Sequence, residues 1–235
     1  MPPPPDLAIP LPQPSVRGTI PAESRSFPHR PTADRGYEIL SRLLDVAISA
    51  SVLFVCLPLL LIAAVAIRAT SPGPVFFRQR RAGRNRRPFT MLKLRTMYDG
   101  ADDDKVLFRH LNSLPTGPCF KIKNDPRVTT VGRWLRRSSL DEVPQLVNVL
   151  LGQMSLVGPR PLPLDEVRVD TPEQRLRFTV KPGLTCLWQV CGRTEIPYEE
   201  WLALDVWYVL NRSLSLDMQI LFKTIPAVLS ARGAY

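Results

Sequence analysis

The sequence predicts a mostly helical α+β protein that joins a membrane-inserted helix to a small cytoplasmic domain. The stretch from Val46 to Ile67, VAISASVLFVCLPLLLIAAVAI, has no charged residue. As a helix it is long enough to reach across the ~30 Å hydrocarbon core of a bilayer. The chain after it alternates short strand-like pieces with amphipathic helical segments. We therefore expect a tail over residues 1–35, a membrane helix over residues 36–70 and a cytoplasmic domain over residues 71–235.

The tail, residues 1–35, is predicted to be disordered. It opens with four consecutive prolines after the first methionine and shows no apolar periodicity. Such a segment cannot bury enough surface to offset the entropy lost on ordering. A signal peptide is not expected, because the first long apolar run lies far from the N-terminus and lacks a small-residue cleavage site.

The apolar stretch contains Pro58 and has positive charge on both sides. A proline inside a helix removes a backbone hydrogen bond and clashes with the preceding turn, which predicts a kink. Arginine and lysine collect on cytoplasmic flanks, so cations on both sides place both ends on the same face of the membrane. This pattern favours a re-entrant helix hairpin, with a kinked span as the alternative. The flanking cations are Arg35, Arg42, Arg68, Arg78, Arg80, Arg81, Arg84, Arg86 and Arg87.

The formal net charge of +10 predicts an anionic partner. No nucleic-acid-reading motif accompanies the basic residues, so no nucleic acid is expected. The arginines after the apolar stretch are instead expected to contact an anionic phospholipid membrane. The four cysteines lack a zinc-binding spacing and are expected to be reduced thiols in the cytoplasm.

Short periodic segments predict the elements of the cytoplasmic domain. β-Branched and aromatic residues between turn residues predict strands. Apolar residues at helical spacing predict amphipathic helices, which can lie on the membrane surface. The predicted strands are Val75–Arg78, Phe89–Arg95 and Leu184–Val190, together with a turn that enters a short strand within Gly117–Lys123. The predicted helices are Val131–Arg137, Tyr198–Asn211 and Ser215–Leu229.

Residues 138–161, SSLDEVPQLVNVLLGQMSLVGPRP, carry the strongest functional signal, because Asp141 and Glu142 lie side by side between arginines. Acids flanked by cations are typical of a phosphate-handling site, where the acid is a nucleophile or metal ligand and the cations stabilise the anionic substrate. The same residues fit a capping box, in which Ser139 caps a helix and Glu142 reaches back to it. The two interpretations are compatible, because a cap would hold both acids at the positive helix end.

The Pro159-Arg160-Pro161 turn adds a cation to this stretch. The flanking prolines restrict the backbone of Arg160 and would aim its guanidinium, a group suited to bidentate phosphate contacts. The intervening helix is expected to begin at Asp141 and to end at Gly152.

The motifs, in this order, resemble the bacterial sugar transferases, also called monotopic phosphoglycosyl transferases. The resemblance runs from Glu38 to Leu229 and indicates a small, core-only member. The motifs that carry it are the proline-broken membrane helix, SPGPVFFRQRRAG, KLRTM at Lys93 to Met97, SSLDEVPQLVNVLLG, MSLVGPRP, KPGLT and the later GR. Departures from the family pattern are Leu57, where serine is common, and Cys186 and Cys191, where glycine and serine or asparagine are common.

The resemblance implies an enzyme that transfers a sugar phosphate from a UDP-sugar to undecaprenyl phosphate and releases UMP. Asp141 matches the nucleophile that forms a covalent phospho-sugar intermediate, and Glu142 matches its partner acid. Mg²⁺ bound by Asp141 is the implied cofactor. The implied substrate-binding residues are Lys93, Arg95, Arg136, Arg160, Arg193, Asp205 and Asp217.

The implied location is the cytoplasmic face of the bacterial inner membrane, where such an enzyme starts exopolysaccharide, capsule or O-antigen synthesis. A homodimer is left open. Two alternatives also stay open at this point. One is a direct, single-step transferase in which Asp141 only holds Mg²⁺, and the other is a non-enzymatic, basic, membrane-anchored scaffold or lipid-binding module.

Overall fold

The computed structural model describes residues 34–112, 120, 122–191 and 197–229, so most of the predicted tail and of the predicted turn and strand within Gly117–Lys123 lies outside the described residues. Helices joined by short strands and turns confirm the mostly helical α+β class. The helices are α1 (Arg35–Thr70), α2 (Thr130–Arg137), α3 (Gln145–Leu150), α4 (Pro172–Leu176), α5 (Leu187–Cys191), α6 (Tyr198–Asn211) and α7 (Leu214–Leu229). The strands are β1 (Phe76–Ala82), β2 (Pro88–Leu94), β3 (Ser155–Val157) and β4 (Gly183–Thr185). Short 3₁₀ turns are Arg84–Arg86, Asp103–Val106, Arg109–Leu111, Leu140–Glu142, Leu164–Glu166 and Arg177–Thr179.

The strands β1 and β2 form an antiparallel hairpin, which confirms the two strands predicted here and extends the first to Ala82. The connecting turn holds Asn85 at φ 55° and Arg86 at φ 62°, in the left-handed region that asparagine tolerates better than most residues. Alternate residues of β2, Phe89 and Met91, point into the core, as the two-residue period of a strand requires.

The main core lies where the helices α3, α6 and α7 meet the parallel pair β3 and β4. Its most buried side chains come from α3, the segment before β3, α6 and α7. Fully burying one such apolar side chain contributes about 1.5–3 kcal/mol to folding. These side chains are Leu146, Val149, Met154, Val209 and Ile220.

Helix α1 is the membrane candidate among the described residues, because its length and apolar composition suffice to cross a bilayer. It is one helix from Arg35 to Thr70 and contains Pro58. A proline removes only one backbone donor, and the residues on either side keep their helical bonds. Phe54 and Val55 are 80% and 70% exposed, a large apolar surface that suits lipid better than water.

Both halves of α1 pack against the rest of the protein. In the first half, Arg42 donates to the carbonyl oxygens of Val149 and Leu150, each at 2.6 Å. Asp45 accepts from the backbone N–H of Leu156 at 2.8 Å. In the second half, Ala63 and Ile67 join a buried apolar cluster made with Leu94, Leu135 and Leu140. The apolar middle of α1 is thus exposed, while its flanks are held by the domain.

The predicted strand Leu184–Val190 is wrong beyond Thr185. Strand β4 ends there, and α5 begins at Leu187. A short apolar run of this kind fits either a strand or a buried helix, and periodicity alone does not distinguish them. In the structure Leu187 enters the main core, whereas Trp188 and Gln189 line a cavity. The helices predicted at Val131–Arg137, Tyr198–Asn211 and Ser215–Leu229 are confirmed within one residue at each end.

A buried ion pair joins α6 to the 3₁₀ turn after α4. Arg177 Nη2 lies 2.8 Å from Asp205 Oδ2, and both side chains are 2% exposed. Arg177 also donates to the carbonyl oxygen of Arg160 at 3.0 Å, so the pair braces the Pro159-Arg160-Pro161 turn. Removing one partner would leave the other charge buried without compensation, which is strongly destabilising.

We predict that Asp205→Leu lowers stability by about 3–5 kcal/mol, because it leaves the charge of Arg177 unpaired in the interior. The double variant Asp205→Leu/Arg177→Met should recover much of this loss, since a well-packed apolar pair is often nearly neutral. Thermal unfolding of the detergent-solubilised protein measures both effects. A single variant as stable as the wild type would contradict the prediction.

Candidate active site

The acidic pair lies on the 3₁₀ turn Leu140–Glu142, between α2 and α3. Leu140 anchors this turn by burying its side chain against Leu94 and Leu135. Pro144, at φ −60°, then starts α3, where its missing N–H costs little. The turn therefore presents Asp141 and Glu142 from a rigid base.

The predicted capping box is wrong. Ser139 lies in the left-handed region at φ 56°, and its hydroxyl makes no capping hydrogen bond. Glu142 accepts hydrogen bonds from Lys93 and Arg160 and does not bond back to Ser139. The reason is energetic, because two bonds to cations, in which both partners are charged, are stronger than one bond to an uncharged backbone N–H. The predicted helix start at Asp141 moves to Gln145, whereas Gly152, at φ 75°, follows the end of the helix as expected.

Glu142 joins two cations from distant parts of the chain. Lys93 Nζ lies 2.7 Å from Glu142 Oε1, and Arg160 donates to the same oxygen. Burial alone would raise the pKa of Glu142, but Arg160 and Lys93 outweigh it and hold that pKa well below its usual range. Glu142 thereby fixes the positions of Lys93 and Arg160.

Asp141 is in a different state from its neighbour. Its side chain is buried, and within the described part of the chain its carboxylate accepts no hydrogen bond; Lys93 Nζ is 3.9 Å from Oδ2. Burial raises the pKa of Asp141 to about 6, the charge of Glu142 adds to this effect, and Lys93 opposes it. A carboxylate that is poorly solvated and has free lone pairs is suited to act as a nucleophile or a metal ligand.

The two acids face a cavity of about 1130 Å³, here called the main cavity. Its basic wall contains Lys93, Arg136 and Arg160. Its apolar lining includes Ile48 and Val52 of α1, together with side chains of α7. Ligand cavities commonly measure about 300–1,000 Å³, so this one has room for a substrate with both polar and apolar parts.

Two other predicted cations that line the main cavity, Arg136 and Arg95, differ in the number of hydrogen bonds that they make to the protein. Arg136 donates from Nε to Thr96 Oγ1 at 3.0 Å, and burial lowers its pKa. Arg95 also lines the main cavity, but its guanidinium donates to the carbonyl oxygen of Ser71 at 2.9 Å and to that of Pro72. Arg95 therefore ties the end of α1 to β2 in this structure.

Asp205 and Asp217 do not line the main cavity. Asp205 pairs with Arg177, and Asp217 accepts hydrogen bonds from the hydroxyls of Tyr37 and Tyr208, each at 2.8 Å. Burial raises the pKa of each of these aspartates to about 6. Both acids thus connect elements of the fold, and Arg193 lies outside the described residues.

Arg81 is a cavity residue that the sequence analysis did not single out. Its Nη1 donates to the carbonyl oxygen of Pro161 at 2.8 Å, and burial, followed by the charge of Arg160, lowers its pKa to about 10. Its position in the strand could have identified it. Successive residues of β1 point to opposite faces, so Arg81 lies on the same face as the partly buried Gln79, whereas Arg80 is exposed. Composition alone could not separate it from the other arginines.

The residues of the site suit a Mg²⁺ ion that binds together with a phosphate-bearing substrate. Among the residues that the structure describes, no three or more His, Cys, Asp or Glu side chains are grouped to form a metal cage. Mg²⁺, however, is commonly held by one or two carboxylates, with substrate phosphates and water completing its shell. The buried carboxylate of Asp141, to which none of the described residues donates a hydrogen bond, matches this requirement.

The chain matches known proteins over nearly all of the described structure. The family model for bacterial sugar transferases matches residues 36–231. The chain is 41% identical over 202 residues to the exopolysaccharide production protein ExoY of Sinorhizobium fredii, covering 84% of this chain and 88% of the relative.

Two further relatives have names that state a reaction. The undecaprenyl-phosphate galactose phosphotransferase of Salmonella typhimurium is 40% identical over 208 residues, which cover 86% of this chain and 43% of the relative. The UDP-glucose:undecaprenyl-phosphate glucose-1-phosphate transferase of Caulobacter vibrioides is 41% identical over 206 residues, covering 84% of this chain and 73% of the relative.

The matched region includes α1, the acidic turn and every described wall of the main cavity. The non-enzymatic alternative is therefore set aside. The chain belongs to the bacterial sugar transferase family and is an enzyme of the phosphoglycosyl transferase class.

Proposed function

We propose that this enzyme transfers a sugar 1-phosphate from a UDP-sugar to undecaprenyl phosphate, releases UMP, and so performs the first membrane step of exopolysaccharide, capsule or O-antigen synthesis. One observation carries the proposal: Asp141 and its neighbouring cations open into the same cavity as the apolar side chains of α1. A reaction between a sugar nucleotide and a lipid phosphate needs a nucleophile, phosphate-binding cations and an apolar wall together. The names of the Salmonella and Caulobacter relatives support the substrates.

In the proposed first half-reaction, an Asp141 carboxylate oxygen attacks the phosphorus that bears the sugar. A new P–O bond forms to Asp141, and the bond from that phosphorus to the bridging diphosphate oxygen breaks. UMP leaves with the bond's electron pair, and the sugar phosphate stays on Asp141 as an acyl phosphate. Lys93 and Arg160 would stabilise the charge that develops on the phosphoryl oxygens.

In the proposed second half-reaction, a phosphate oxygen of undecaprenyl phosphate attacks the same phosphorus. The P–O bond to Asp141 breaks, which regenerates the carboxylate and yields undecaprenyl diphosphate sugar. The apolar wall formed by Ile48, Val52 and Leu221 offers a surface for the first isoprene units. Arg136, whose guanidinium lines the same cavity, would contact the lipid phosphate.

Glu142 acts in this proposal as a positioning residue. Its charge is bound by Lys93 and Arg160, so it is a weak nucleophile. Arg81 and Arg177 add to the same rigidity by donating to the carbonyl oxygens of the Pro159-Arg160-Pro161 turn. Fixed cations cost no reorganisation during the reaction, which is the main advantage of a preorganised site.

Asp141 is also the proposed ligand of Mg²⁺. When bound, the ion would neutralise negative charge on the diphosphate and so reduce its repulsion from the carboxylate. Lys93 and Arg160 contribute to the same screening from the protein side.

We further propose that α1 dips into one leaflet of the inner membrane and returns, so that the domain faces the cytoplasm. A straight helix of 36 residues would be about 54 Å long. If it crossed the bilayer, its far half would lie away from the domain. Yet Asp45 and Ser49 in the first half, and Ala63 and Ile67 in the second, are all buried against the domain. This shared packing supports a re-entrant placement.

We predict that Asp141→Asn lowers UMP release at least about a thousandfold, because the amide cannot form the acyl phosphate while the side-chain shape is kept. The assay contains a panel of UDP-sugars, undecaprenyl phosphate and Mg²⁺. Asp103→Asn is the matched control, since Asp103 is exposed and does not line the main cavity, and it should keep nearly full activity. An active Asp141→Asn variant would rule out Asp141 as the nucleophile.

We predict that wild-type enzyme incubated with UDP-sugar and Mg²⁺, without undecaprenyl phosphate, releases about one UMP per active site and carries a sugar phosphate on Asp141. The covalent route allows the first half-reaction without the acceptor, whereas a direct transfer does not. Rapid-quench UMP analysis and intact-protein mass spectrometry measure the two products. UMP release that strictly requires the acceptor, without an adduct, would favour the direct, single-step transfer.

We predict that cysteines introduced by Arg35→Cys and Arg84→Cys both lie in the cytoplasm. A membrane-impermeant maleimide should leave both unlabelled in intact spheroplasts and label both after permeabilisation. Labelling of one position from outside would instead indicate that α1 spans the membrane.

A further inference from the structure

A second cavity, of about 520 Å³, lies on the other face of β3. Leu156 lines the main cavity, whereas Ser155 and Val157 line the second one. This separation follows from the strand itself, because successive side chains point to opposite faces. The remaining walls of the second cavity come from the start of α1, the β1–β2 turn, and the segments around Lys181 and Arg212. It is therefore separate from the acidic pair.

The second cavity carries more positive than negative charge. Its acids are already engaged: Asp45 accepts from the N–H of Leu156 and from Ser155 Oγ, and Glu38 lies 3.7 Å from Arg212. The excess positive charge is thus not balanced by the protein. The cations that line this cavity are Arg35, Arg42, Arg84, Lys181 and Arg212, and its acids are Glu38 and Asp45.

The cations that line the second cavity differ in whether their side chains already make hydrogen bonds to the protein. Arg42 is fixed by its bonds to two carbonyl oxygens at the end of α3. Within the part of the chain that the structure describes, the side chains of Arg84 and Lys181 have no hydrogen-bond or ion-pair partner. Arg42 Nη2 and Lys181 Nζ each lie 3.7 Å from the position that a Cβ atom on Gly152 would take, so the two charged groups are near neighbours.

The charged form of Lys181 is disfavoured in the second cavity. Burial, with the charges of Arg42 and Arg84, lowers the pKa of Lys181, while Asp45 only partly opposes this effect. An anion placed among these side chains would relieve their mutual repulsion and provide acceptors for their N–H groups. Phosphate oxygens are suitable acceptors for both arginine and lysine.

We propose that the second cavity binds the phosphate-bearing headgroup of an anionic phospholipid. Ile39 and Leu43, which line the same cavity, are 62% and 61% exposed and offer an apolar surface for an acyl chain. The uncharged membrane stretch begins three residues after Leu43, at Val46. The cavity therefore lies at the level where α1 would leave the headgroup region, and a free phosphate would make no use of the apolar surface.

This inference rests on the proposed membrane placement of α1 but not on the transfer chemistry. The bound lipid would link the first half of α1 to the β1–β2 turn and to the segment before β4. A ligand that binds only the folded protein raises its unfolding temperature. Binding can therefore be measured without any activity assay.

The test uses the full-length protein in non-ionic detergent and measures the unfolding temperature with added phosphatidylglycerol, phosphatidylcholine or inorganic phosphate. Phosphatidylglycerol should raise it more than the other two. The double variant Arg84→Gln/Lys181→Gln should lose most of that increase. The matched control Arg80→Gln/Arg87→Gln removes the same charge at exposed positions that line neither cavity, and it should keep the increase.

The proposal is overturned if phosphatidylglycerol gives the wild type no increase, or if both double variants lose it equally. An equal increase with inorganic phosphate, lost in the same variant, would assign the cavity to free phosphate and overturn the lipid assignment. Should Lys181→Gln fail to fold, Arg84→Gln alone, at an exposed position, should still lose part of the increase. UMP release is measured in parallel. Absence of UMP release would indicate a failure of the proposed reaction, whereas absence of the increase in unfolding temperature would indicate a failure of lipid binding.

Discussion

The contact of Glu142 with Lys93 and Arg160 is the interaction on which the site depends. It joins β2, the acidic turn and the Pro159-Arg160-Pro161 turn, which are far apart in the chain. One carboxylate thereby holds two cations in place, whereas its neighbour Asp141 accepts no hydrogen bond from any residue that the structure describes. The two adjacent acids are thus placed in opposite electrostatic states, because one is compensated by cations and the other is mainly desolvated.

A second constraint is the attachment of α1 to the domain. Hydrogen bonds from Arg42 and to Asp45 secure its first half, and apolar packing of Ala63 and Ile67 secures its second half. This attachment brings Ile48 of the membrane helix into the wall of the main cavity. The proposed chemistry on a lipid phosphate and the proposed membrane insertion therefore use one structural element.

Local patterns led to errors where charged or long-range contacts compete with them. The capping box at Ser139 was a reasonable local prediction, but Glu142 has stronger partners in Lys93 and Arg160. The pairing of Asp205 with Arg177 likewise joins two separate elements, and only the folded chain brings the two charges together. In each case the deciding partner is distant in sequence, so no local spacing could have revealed it.

The sequence by itself determined the class of the fold, the membrane stretch, the hairpin strands and the longer helices, because periodicity and composition are local properties. It also predicted Asp141 and Glu142 as the chemical centre, since the arginines and the rigid turns around them lie within a few residues in the chain. Only the tertiary structure decided which acid is compensated, which arginines are used to brace carbonyls, and that a second basic cavity exists across β3. Those outcomes depend on burial and on contacts between distant segments, and both arise only when the chain is packed.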